Sequence, residues 1–337
     1  MRIRFALVFP FLTCLLVASP SGGYHLVKKI PVPGNGSKDY LTVDEGARRL
    51  YVSHGTQVDV IDLDSEQVVG KVSDLKGVHG IAVAPKLGRG FITNGLLNTV
   101  TIFDLKTLQH LGELKASLEP DGILYDSFTG RVFALNKHGD SISVFEAAGG
   151  ELAGTIELGG DPESPVSDGK GSVWVNLEHW STLVRIDAHK LTVTGRWPTA
   201  PCVQPAPMAI DRKESRLFIG CGNEVMAVAN SDTGKIITTL PIGPDVDATA
   251  FDPSTGLIFT ANNGSVTVIH QDSPDKYSMV ENVKTPSRAT TLALDPKTHR
   301  VYLSTAEFGP APDPTPVAPH PAPPMLPDTF MVLVLGE

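Results

Sequence analysis

Short apolar runs alternate with turn residues along almost the whole chain. In one stretch the runs are Ile81–Ala84, Gly90–Thr93 and Thr99–Phe103, and they are separated by Gly, Pro, Asn and Asp. Runs of four or five residues that are rich in β-branched and aromatic side chains are typical of β-strands rather than helices. A fourth run follows a turn, as at Leu111–Leu114. The pattern therefore predicts a unit of four strands.

The unit occurs seven times, and the first run of each copy ends 40 to 43 residues after the previous one. Several of these ends start a turn with Asp followed by Pro, an order typical of type I turns. Four strands per repeat at this period predict an all-β fold, a seven-bladed β-propeller with four-stranded blades. The first runs end at Asp44, Ala84, Asp126, Asp168, Asp211, Asp252 and Asp295.

The two ends of the chain supply one incomplete unit each. Tyr24–Val32 has the character of a fourth strand but has no unit before it, whereas Thr329–Leu335 is the third strand of the seventh unit. We therefore expect the N-terminal strand to pair in the last blade and to close the ring. A closed ring has no open end at which another chain could add a strand, which favours a monomer.

The second strands carry a recurring motif. It begins with an aromatic residue and mostly ends in Asn, as in Tyr51–His54, Phe91–Asn94, Phe133–Asn136, Phe259–Asn262 and Tyr302–Thr305. With these motifs the mature chain resembles the YVTN family of β-propeller repeat proteins, the YncE-like exported bacterial group. The resemblance implies a seven-bladed ring in the periplasm or outside the cell. It implies no particular reaction, because such propellers include binding scaffolds, lactonases and electron-transfer partners.

Two repeats depart from this motif. In the fourth unit Asn176 stands one place early, and in the fifth unit Cys221 takes the position of the Asn. Cys202 lies 19 residues before Cys221, and the chain between them runs out along one strand and back along the next. An oxidising compartment favours their pairing, so we predict a Cys202–Cys221 disulfide rather than a redox or metal site.

The first 23 residues have the features of a secretory signal peptide. Arg2 and Arg4 precede an apolar stretch from Phe5 to Ala18, and small residues follow up to Gly23. The stretch is too short to span a membrane. We therefore predict a signal peptide over 1–23, a single propeller domain over 24–337, no membrane span, and a periplasmic or secreted location. Loss of the two arginines changes the formal charge from −9 to −11, which disfavours nucleic-acid binding.

A proline-rich insertion interrupts the seventh unit between its second and third strands, over 306–328. It has nine prolines between Pro310 and Pro327, a composition that favours extended polyproline geometry and cannot join a sheet. The insertion should project as a loop over one face. It is either a tolerated insertion at a blade edge or an arm that covers a site or docks a partner.

Candidate functional residues lie in two sets of connections that share one face of a propeller, around the mouth of the central channel. The connections from fourth to first strands contribute Lys38, Asp39, His79, Asp121, Glu163, Gln204, Asp247 and Arg288. Those from second to third strands contribute His54, Asn94, Asn136, His138, Glu178, His179, Trp180 and Asn262.

Three kinds of chemistry are open to this face. Carboxylates and a histidine from four blades could hold a divalent cation, and the candidates are Asp121, Glu163, Asp247 and His79. Alternatively, they could only solvate the channel mouth, and Arg288 could form an ion pair with Asp247 or clamp a ligand carboxylate. Trp180 could stack on a ring of a ligand.

The sequence contains no nucleophile elbow, Walker loop or dinucleotide-binding turn in a strand-to-helix context. Two hypotheses follow from this reading. The first is an exported, noncatalytic propeller that presents its channel mouth to a protein or a small ligand. The alternative is a metal-assisted hydrolase of lactone type. The sequence does not identify a cofactor.

Overall fold

The computed structural model describes residues 22–315 and 321–337. Its strands form seven separate antiparallel sheets of four strands each, so the predicted seven-bladed β-propeller is confirmed. Within the described part of the chain the helical elements are two 3₁₀ turns, Pro85–Leu87 and Gly95–Leu97. No helix of these residues is both long enough and apolar enough to cross a membrane.

The first strand of each blade lines the central channel and the fourth lies at the outer edge. Blade 1 contains β2 (Lys38–Asp44), β3 (Arg49–His54), β4 (Gln57–Asp62) and β5 (Gln67–Val72). Blade 2 contains β6 (Val78–Ala84), β7 (Arg89–Asn94), β8 (Thr99–Asp104) and β9 (His110–Lys115). Blade 3 contains β10 (Pro120–Asp126), β11 (Arg131–Asn136), β12 (Ser141–Glu146) and β13 (Leu152–Glu157).

Blades 4 to 6 follow the same order along the chain. Blade 4 contains β14 (Pro162–Ser167), β15 (Ser172–Leu177), β16 (Thr182–Asp187) and β17 (Thr192–Pro198). Blade 5 contains β18 (Pro205–Asp211), β19 (Arg216–Cys221), β20 (Val225–Asn230) and β21 (Ile236–Pro241). Blade 6 contains β22 (Ala248–Asp252), β23 (Leu257–Asn262), β24 (Ser265–Ser273) and β25 (Lys276–Lys284).

The seventh blade joins both ends of the chain, as the sequence predicts. It contains β26 (Leu292–Asp295), β27 (Arg300–Thr305), β28 (Met331–Gly336) and the N-terminal β1 (His25–Pro31). Strand β1 pairs antiparallel with β28, for example through Ile30 and Val332. The ring is therefore closed by hydrogen bonds between the first and last strands of the chain.

The hydrophobic core lies between neighbouring blades, and the aromatic residue of each second strand is central to it. All seven of these side chains are fully buried, because both faces of a blade pack against other blades. They are Tyr51, Phe91, Phe133, Trp174, Phe218, Phe259 and Tyr302. A buried aromatic side chain contributes a large apolar area to such a core, which explains why the repeat is visible in the sequence.

The Asp residues at the ends of the inner strands hold the turns on the face opposite the channel mouth. Asp44 accepts a hydrogen bond from the backbone N–H of Ala47 at 3.0 Å, and Asp126 accepts one from that of Thr129 at 3.0 Å. In blade 4 the strand ends one residue earlier, at Ser167, and Asp168 accepts a hydrogen bond from the N–H of Lys170. The turn itself has four residues, as in the other blades.

Every outer strand carries an irregularity in its pairing at an equivalent position. At this position one residue of the outer strand has no pairing partner on the third strand. In blades 1 and 2 these residues are Val69 and Leu111, and both are exposed. A β-bulge bends and twists a strand and makes its edge a poor template for another chain. The rim of the propeller is thus protected at each of its seven edges.

Two further predictions concern loops at the channel mouth. The disulfide between Cys202 and Cys221 is present, with the Cα atoms 5.5 Å apart. The proline-rich insertion begins and ends as a short paired segment, in which the N–H of Gly309 donates to the carbonyl of Pro324 at 2.9 Å. At its end the N–H of Asp328 donates to the Asn35 side chain at 2.8 Å. The insertion therefore leaves the fold on the predicted face.

Candidate binding site at the channel mouth

One position of the repeat places a side chain from each blade around the channel mouth. In each blade one residue of the inner strand pairs with the buried aromatic residue of the second strand, and the position in question lies three residues before it. In blade 3, for example, Leu124 pairs with Phe133, and Asp121 lies three residues before Leu124. We call these residues the mouth ring. Its members in blades 1 to 7 are Asp39, His79, Asp121, Glu163, Ala206, Asp247 and Thr290.

Local backbone irregularities direct these side chains toward one another. In the first five blades the pairing of the inner strand shifts by one residue at or directly after the ring position. Bulges next to sites commonly redirect a side chain in this way. Five of the seven blades thereby break their regular pairing where the channel opens.

Contacts join the ring members of the first three blades. The Nδ1 atom of His79 lies 2.6 Å from Asp39 Oδ2 and 3.7 Å from Asp121 Oδ1. Asp121 Oδ1 is itself buried and has no hydrogen-bond partner. One ligand atom from each of the three residues lies within 4.8 Å of the others. The three side chains thus have the composition and spacing of a divalent cation site.

Lys137 continues the network to the fourth blade. Its ammonium group forms an ion pair with Glu163 and lies 3.9 Å from both Asp121 Oδ2 and Glu178 Oε2. Lys137 follows the last residue of β11 directly; its neighbours Asn136 and His138 were both predicted at the mouth, whereas Lys137 was not. The signal that was missed is a single basic residue in a connection that faces several acidic ones.

On the other side of the mouth the ring closes through a hydroxyl group. The Oγ1 of Thr290 donates to Asp247 Oδ2 at 3.0 Å and accepts a hydrogen bond from Lys38 Nζ at 2.9 Å. Blade 5 contributes only the methyl group of Ala206, whose carbonyl accepts a hydrogen bond from Asn176. The ring therefore has a polar side chain in six positions and a gap in the seventh.

The carboxyl groups of Asp121, Glu163 and Asp247 hold protons more tightly than usual. Burial, together with the charge of Asp39, raises the pKa of Asp121 to about 6. Burial and the charge of Asp121 raise the pKa of Glu163 to about 8, although Lys137 opposes this shift. Burial also raises the pKa of Asp247. The acidic groups are therefore crowded, and their negative charge is only partly compensated.

The basic groups respond to the same surroundings. Burial alone would lower the pKa of His79, but its hydrogen bond to Asp39 and the charge of Asp121 raise it. Burial lowers the pKa of Lys38. For Lys137 the attraction of Glu163 outweighs burial and raises the pKa. His79 is thus favoured in its charged form between two carboxylates.

Below the ring the channel contains a cavity of about 180 Å³ that all seven inner strands line. Tyr40 lines this cavity. Its hydroxyl oxygen reaches across to blade 3, where it would lie 3.5 Å from a Cβ atom placed on Gly122. Burial and the charge of Asp121 raise the pKa of the Tyr40 hydroxyl far above its ordinary value. The floor of the mouth is therefore a neutral phenol.

Four residues predicted at this face are instead structural. His54, Asn94, Asn136 and Asn262 are the buried last residues of second strands. Each bonds a side chain of the third strand, as Asn94 Nδ2 does to Thr101 Oγ1 at 2.8 Å. In blade 1 the same position has His54, whose Nδ1 lies 2.8 Å from Asp59 Oδ2. Their interpretation as mouth residues was wrong, because the strand continues one residue further than the loop composition suggests.

Two other candidates lie before the inner strands rather than in the ring. Gln204 and Arg288 both have positive φ angles, of 52° and 66°. The guanidinium carbon of Arg288 lies 5.0 Å from the Phe308 ring centroid, at the start of the proline-rich insertion. Among the ion pairs of the described residues Arg288 does not pair with Asp247, so that expectation was wrong. Arg288 instead connects the mouth to the base of the insertion.

The second-to-third connections of blades 3 and 4 do reach the surface at the mouth. His138 forms an ion pair with Glu119, and His179 Nδ1 lies 2.5 Å from Asp161 Oδ2. That hydrogen bond raises the pKa of His179. Asp161, Glu178 and His179 form a second group with ligand atoms within 4.8 Å of one another.

Trp180 follows this group and is 66% exposed. Its ring lies over Gly160, where a Cβ would come within 2.5 Å of Cδ1. Trp180 borders an open groove of about 340 Å³, which Arg196 and Trp197 also line. The mouth ring, Glu178 and Trp180 therefore follow one another along the same face.

The comparisons with known proteins agree with this architecture. No protein-family model matches the chain, and no curated protein matches its sequence. Among solved structures, the chain is similar to one in the crystal structure of a mitotic checkpoint complex, with a TM-score of 0.72, 13% identity, and coverage of 89% of this chain and 96% of that one. The fold is that of a seven-bladed β-propeller.

Two further structures give the same result. The structure of U3-55K has a TM-score of 0.76 at 10% identity and covers 91% of this chain and 97% of that one. Hydrazine synthase of Kuenenia stuttgartiensis has a TM-score of 0.68 at 16% identity and covers 83% of this chain and 96% of that one. Identities this low show a shared fold alone, and the resemblance to the YVTN family stays a prediction.

Proposed function

We propose that this protein is an exported, noncatalytic β-propeller of the YVTN type that binds a positively charged group of a ligand at its channel mouth. The observation that carries the proposal is the mouth ring, in which four of seven equivalent positions have a carboxyl group. A lysine or arginine side chain of a protein and a small amine present the same chemistry. The predicted leader and the disulfide support export.

The energetics of the ring favour such a ligand. Asp121 and Glu163 are nearly buried, and burial first and then neighbouring negative charges disfavour their ionised forms. A further cation brought beside them, in addition to Lys137, would lower both pKa values, because an opposite charge nearby stabilises the ionised carboxylate. Binding near neutral pH would therefore release protons, and affinity would rise with pH.

Calorimetric titration tests the proposal with two probes. One is putrescine, a small diamine, and the other is a short peptide with lysine residues flanked by aromatic residues. We expect at least one probe to bind, and the double variant with Asp121→Asn and Glu163→Gln to bind it at least about tenfold more weakly, which corresponds to about 1.4 kcal/mol. Binding of the peptide alone would favour a protein partner.

Asp232→Asn is the matched control for charge, because Asp232 is an exposed residue in a turn on the opposite face. It should leave the affinity unchanged. Failure of both probes to bind, or equal losses in the control and the ring variant, would contradict the proposal. The oligomeric state in solution, which we propose to be monomeric, is measured in the same samples by light scattering.

A metal-assisted hydrolase of lactone type is the second candidate, and Asp39, His79 and Asp121 favour it. Their spacing and the unpartnered, buried Asp121 Oδ1 fit a divalent cation. A bound cation at this place could polarise a carbonyl group and activate water. Around it, Glu163 could hold or release a proton near neutral pH.

Elemental analysis of the dialysed protein for calcium, zinc, copper, manganese and iron separates the two candidates. About one ion per chain that is lost with Asp121→Ala, together with lactone hydrolysis that disappears in the same variant, would favour the hydrolase. A protein that stays free of metal after incubation with each ion would exclude this candidate. Binding to nucleic acid is a third reading, which the net charge of the chain disfavours.

A further inference from the structure

The residue at which the mature chain is predicted to start is an anchor of the folded ring. Tyr24 is only 6% exposed, and its ring packs edge-on against Phe259 of blade 6 with 5.0 Å between the ring centroids. Its hydroxyl donates a hydrogen bond to the carbonyl of His299 in blade 7 at 2.8 Å. Tyr24 therefore occupies the seam between the last two blades, directly before the strand that closes the ring.

The backbone nitrogen of Tyr24 points at a carboxylate. It donates a hydrogen bond to Glu281 Oε1 at 2.7 Å, and Glu281 lies on β25, the outer strand of blade 6. The carboxylate also lies against residue 23, where a Cβ would come within 2.4 Å of Glu281 Oε2. A side chain larger than that of glycine would not fit at residue 23 without moving Glu281.

Other negative charges lie around the same residue. The pKa of the Tyr24 hydroxyl is raised by burial first and then by Glu337, Asp252 and Glu281. Glu281 is half-buried, and a neutral amide beside its carboxylate leaves the negative charge uncompensated. An ammonium group at the Tyr24 nitrogen would compensate this charge and would form a stronger, charge-assisted hydrogen bond.

The sequence before Tyr24 fits the cleavage that would make this group. Ser21 and Gly23 stand three and one residues before Tyr24, and small residues at these two places are the pattern that signal peptidases recognise. Pro20 stands three residues before the neighbouring bond between Gly22 and Gly23, where the pattern requires a small residue other than proline. The pattern therefore favours the Gly23–Tyr24 bond over the Gly22–Gly23 bond. The Ser21–Gly22 bond, which follows Ser19 and Ser21, fits the pattern as well, and the contact of the Tyr24 nitrogen with Glu281 favours Gly23–Tyr24 between the two.

We propose that a signal peptidase cleaves the Gly23–Tyr24 bond and that the new α-ammonium group of Tyr24 forms an ion pair with Glu281, which locks the N-terminal strand into the last blade. Hydrolysis adds one water molecule across the bond, so that Gly23 leaves with a carboxylate and Tyr24 gains the ammonium group. Removal of the leader is then also a step that stabilises ring closure.

Intact-mass measurement tests the cleavage site. The full chain with its own 23 leading residues is exported from a bacterial host and purified from the periplasm. The proposal expects a mass that corresponds to residues 24–337 with the disulfide formed. A mass that corresponds to a start at any other residue, or to the uncleaved chain, would overturn it.

A double-mutant cycle tests the ion pair. Chains that start at Tyr24 and at Gly22 are made with Glu281 and with Glu281→Gln. We expect Glu281→Gln to lower Tm by about 2 °C more in the Tyr24 chain than in the Gly22 chain, because only the former has an ammonium group at that nitrogen. Glu157→Gln, on the outer strand of blade 3, is the control and should lower both equally. Equal effects of Glu281→Gln in the two chains would overturn the ion pair.

Discussion

Arg48 donates two hydrogen bonds of 2.8 Å to the carboxylate of Asp295, across the seam between the first and the last blade. The Asp295 side chain is fully buried and that of Arg48 is 12% exposed. Loss of one partner of a buried ion pair leaves the other charge uncompensated, which costs about 3–5 kcal/mol. We therefore expect Arg48→Leu to lower the free energy of unfolding by about 3 kcal/mol. Lys106→Leu, which removes an exposed charge, should change it by less than about 0.5 kcal/mol.

The same pair sets a dependence on acid. Burial would raise the pKa of Asp295, but the hydrogen bonds from Arg48 outweigh it and lower the pKa. The stabilisation is therefore complete above the unfolded pKa of about 3.9 and is lost as the pH falls through the lower, folded pKa. Urea titrations between pH 5 and pH 3 should show a smaller loss of stability in Arg48→Leu than in the parent protein. Identical slopes would contradict this assignment.

The bonds from second-strand Asn residues to the third strand should stabilise the blades. Asn94 Nδ2 and Asn136 Nδ2 donate to Thr101 Oγ1 and Ser143 Oγ at 2.8 and 3.1 Å, and both Asn residues are fully buried. Asn94→Ala should cost about 2 kcal/mol, because it leaves a cavity and unpaired polar atoms. Denaturant unfolding measures the loss. Gln109→Ala is the control, since Gln109 is an exposed amide residue, and an equal loss there would argue against a specific role of the buried bond.

The mouth ring predicts the opposite pH dependence to that of Asp295. Two of its carboxyl groups have pKa values raised to about 6 for Asp121 and about 8 for Glu163, so the folded protein binds these protons more tightly than the unfolded chain does. The free energy of unfolding therefore falls as the pH rises from about 4, near the pKa values of these carboxyl groups in the unfolded chain, to about 8. Glu163→Gln should flatten the fall in Tm between pH 5 and pH 8. Glu157→Gln, an exposed glutamate, should leave it as it is in the parent.

Trp180 should affect binding without affecting stability. Because the side chain is 66% exposed, Trp180→Ala should change the free energy of unfolding by less than about 0.5 kcal/mol. The same variant should bind the aromatic lysine peptide about tenfold more weakly, as expected for loss of a stacking partner, and putrescine equally well. Gly160→Ala should reproduce the effect on the peptide by displacing the Trp180 ring. An unchanged peptide affinity in both variants would remove Trp180 from the site.

The fold could be predicted because burial leaves a periodic record in the sequence. An aromatic residue such as Phe133 fills the core at the same position of every blade, and an aspartate such as Asp126 starts most of the turns, so both recur at fixed intervals. The pairing of β1 with the last blade followed from counting strands.

The site was predicted only in part because its geometry depends on irregularities. The one-residue shifts that direct Asp39, His79 and Asp121 inward leave no signal in a single sequence. Asn94 has the composition of a loop residue but is buried by the strand that continues through it. Lys137 was missed because its partners come from two other connections. Sequence order places residues on a face, but side-chain contacts between blades decide which of them meet.

The gap that Ala206 leaves in the mouth ring gives the channel a direction. A ring of seven identical side chains would accept a ligand equally well in seven orientations around its axis. Here the acidic arc with His79 and Lys137 lies on one side, the pair of Asp247 and Thr290 on another, and a methyl group between Glu163 and Asp247. A charged group that enters this mouth has one preferred orientation around the channel axis. The parts of the ligand that stay outside the channel therefore always lie over the same blades.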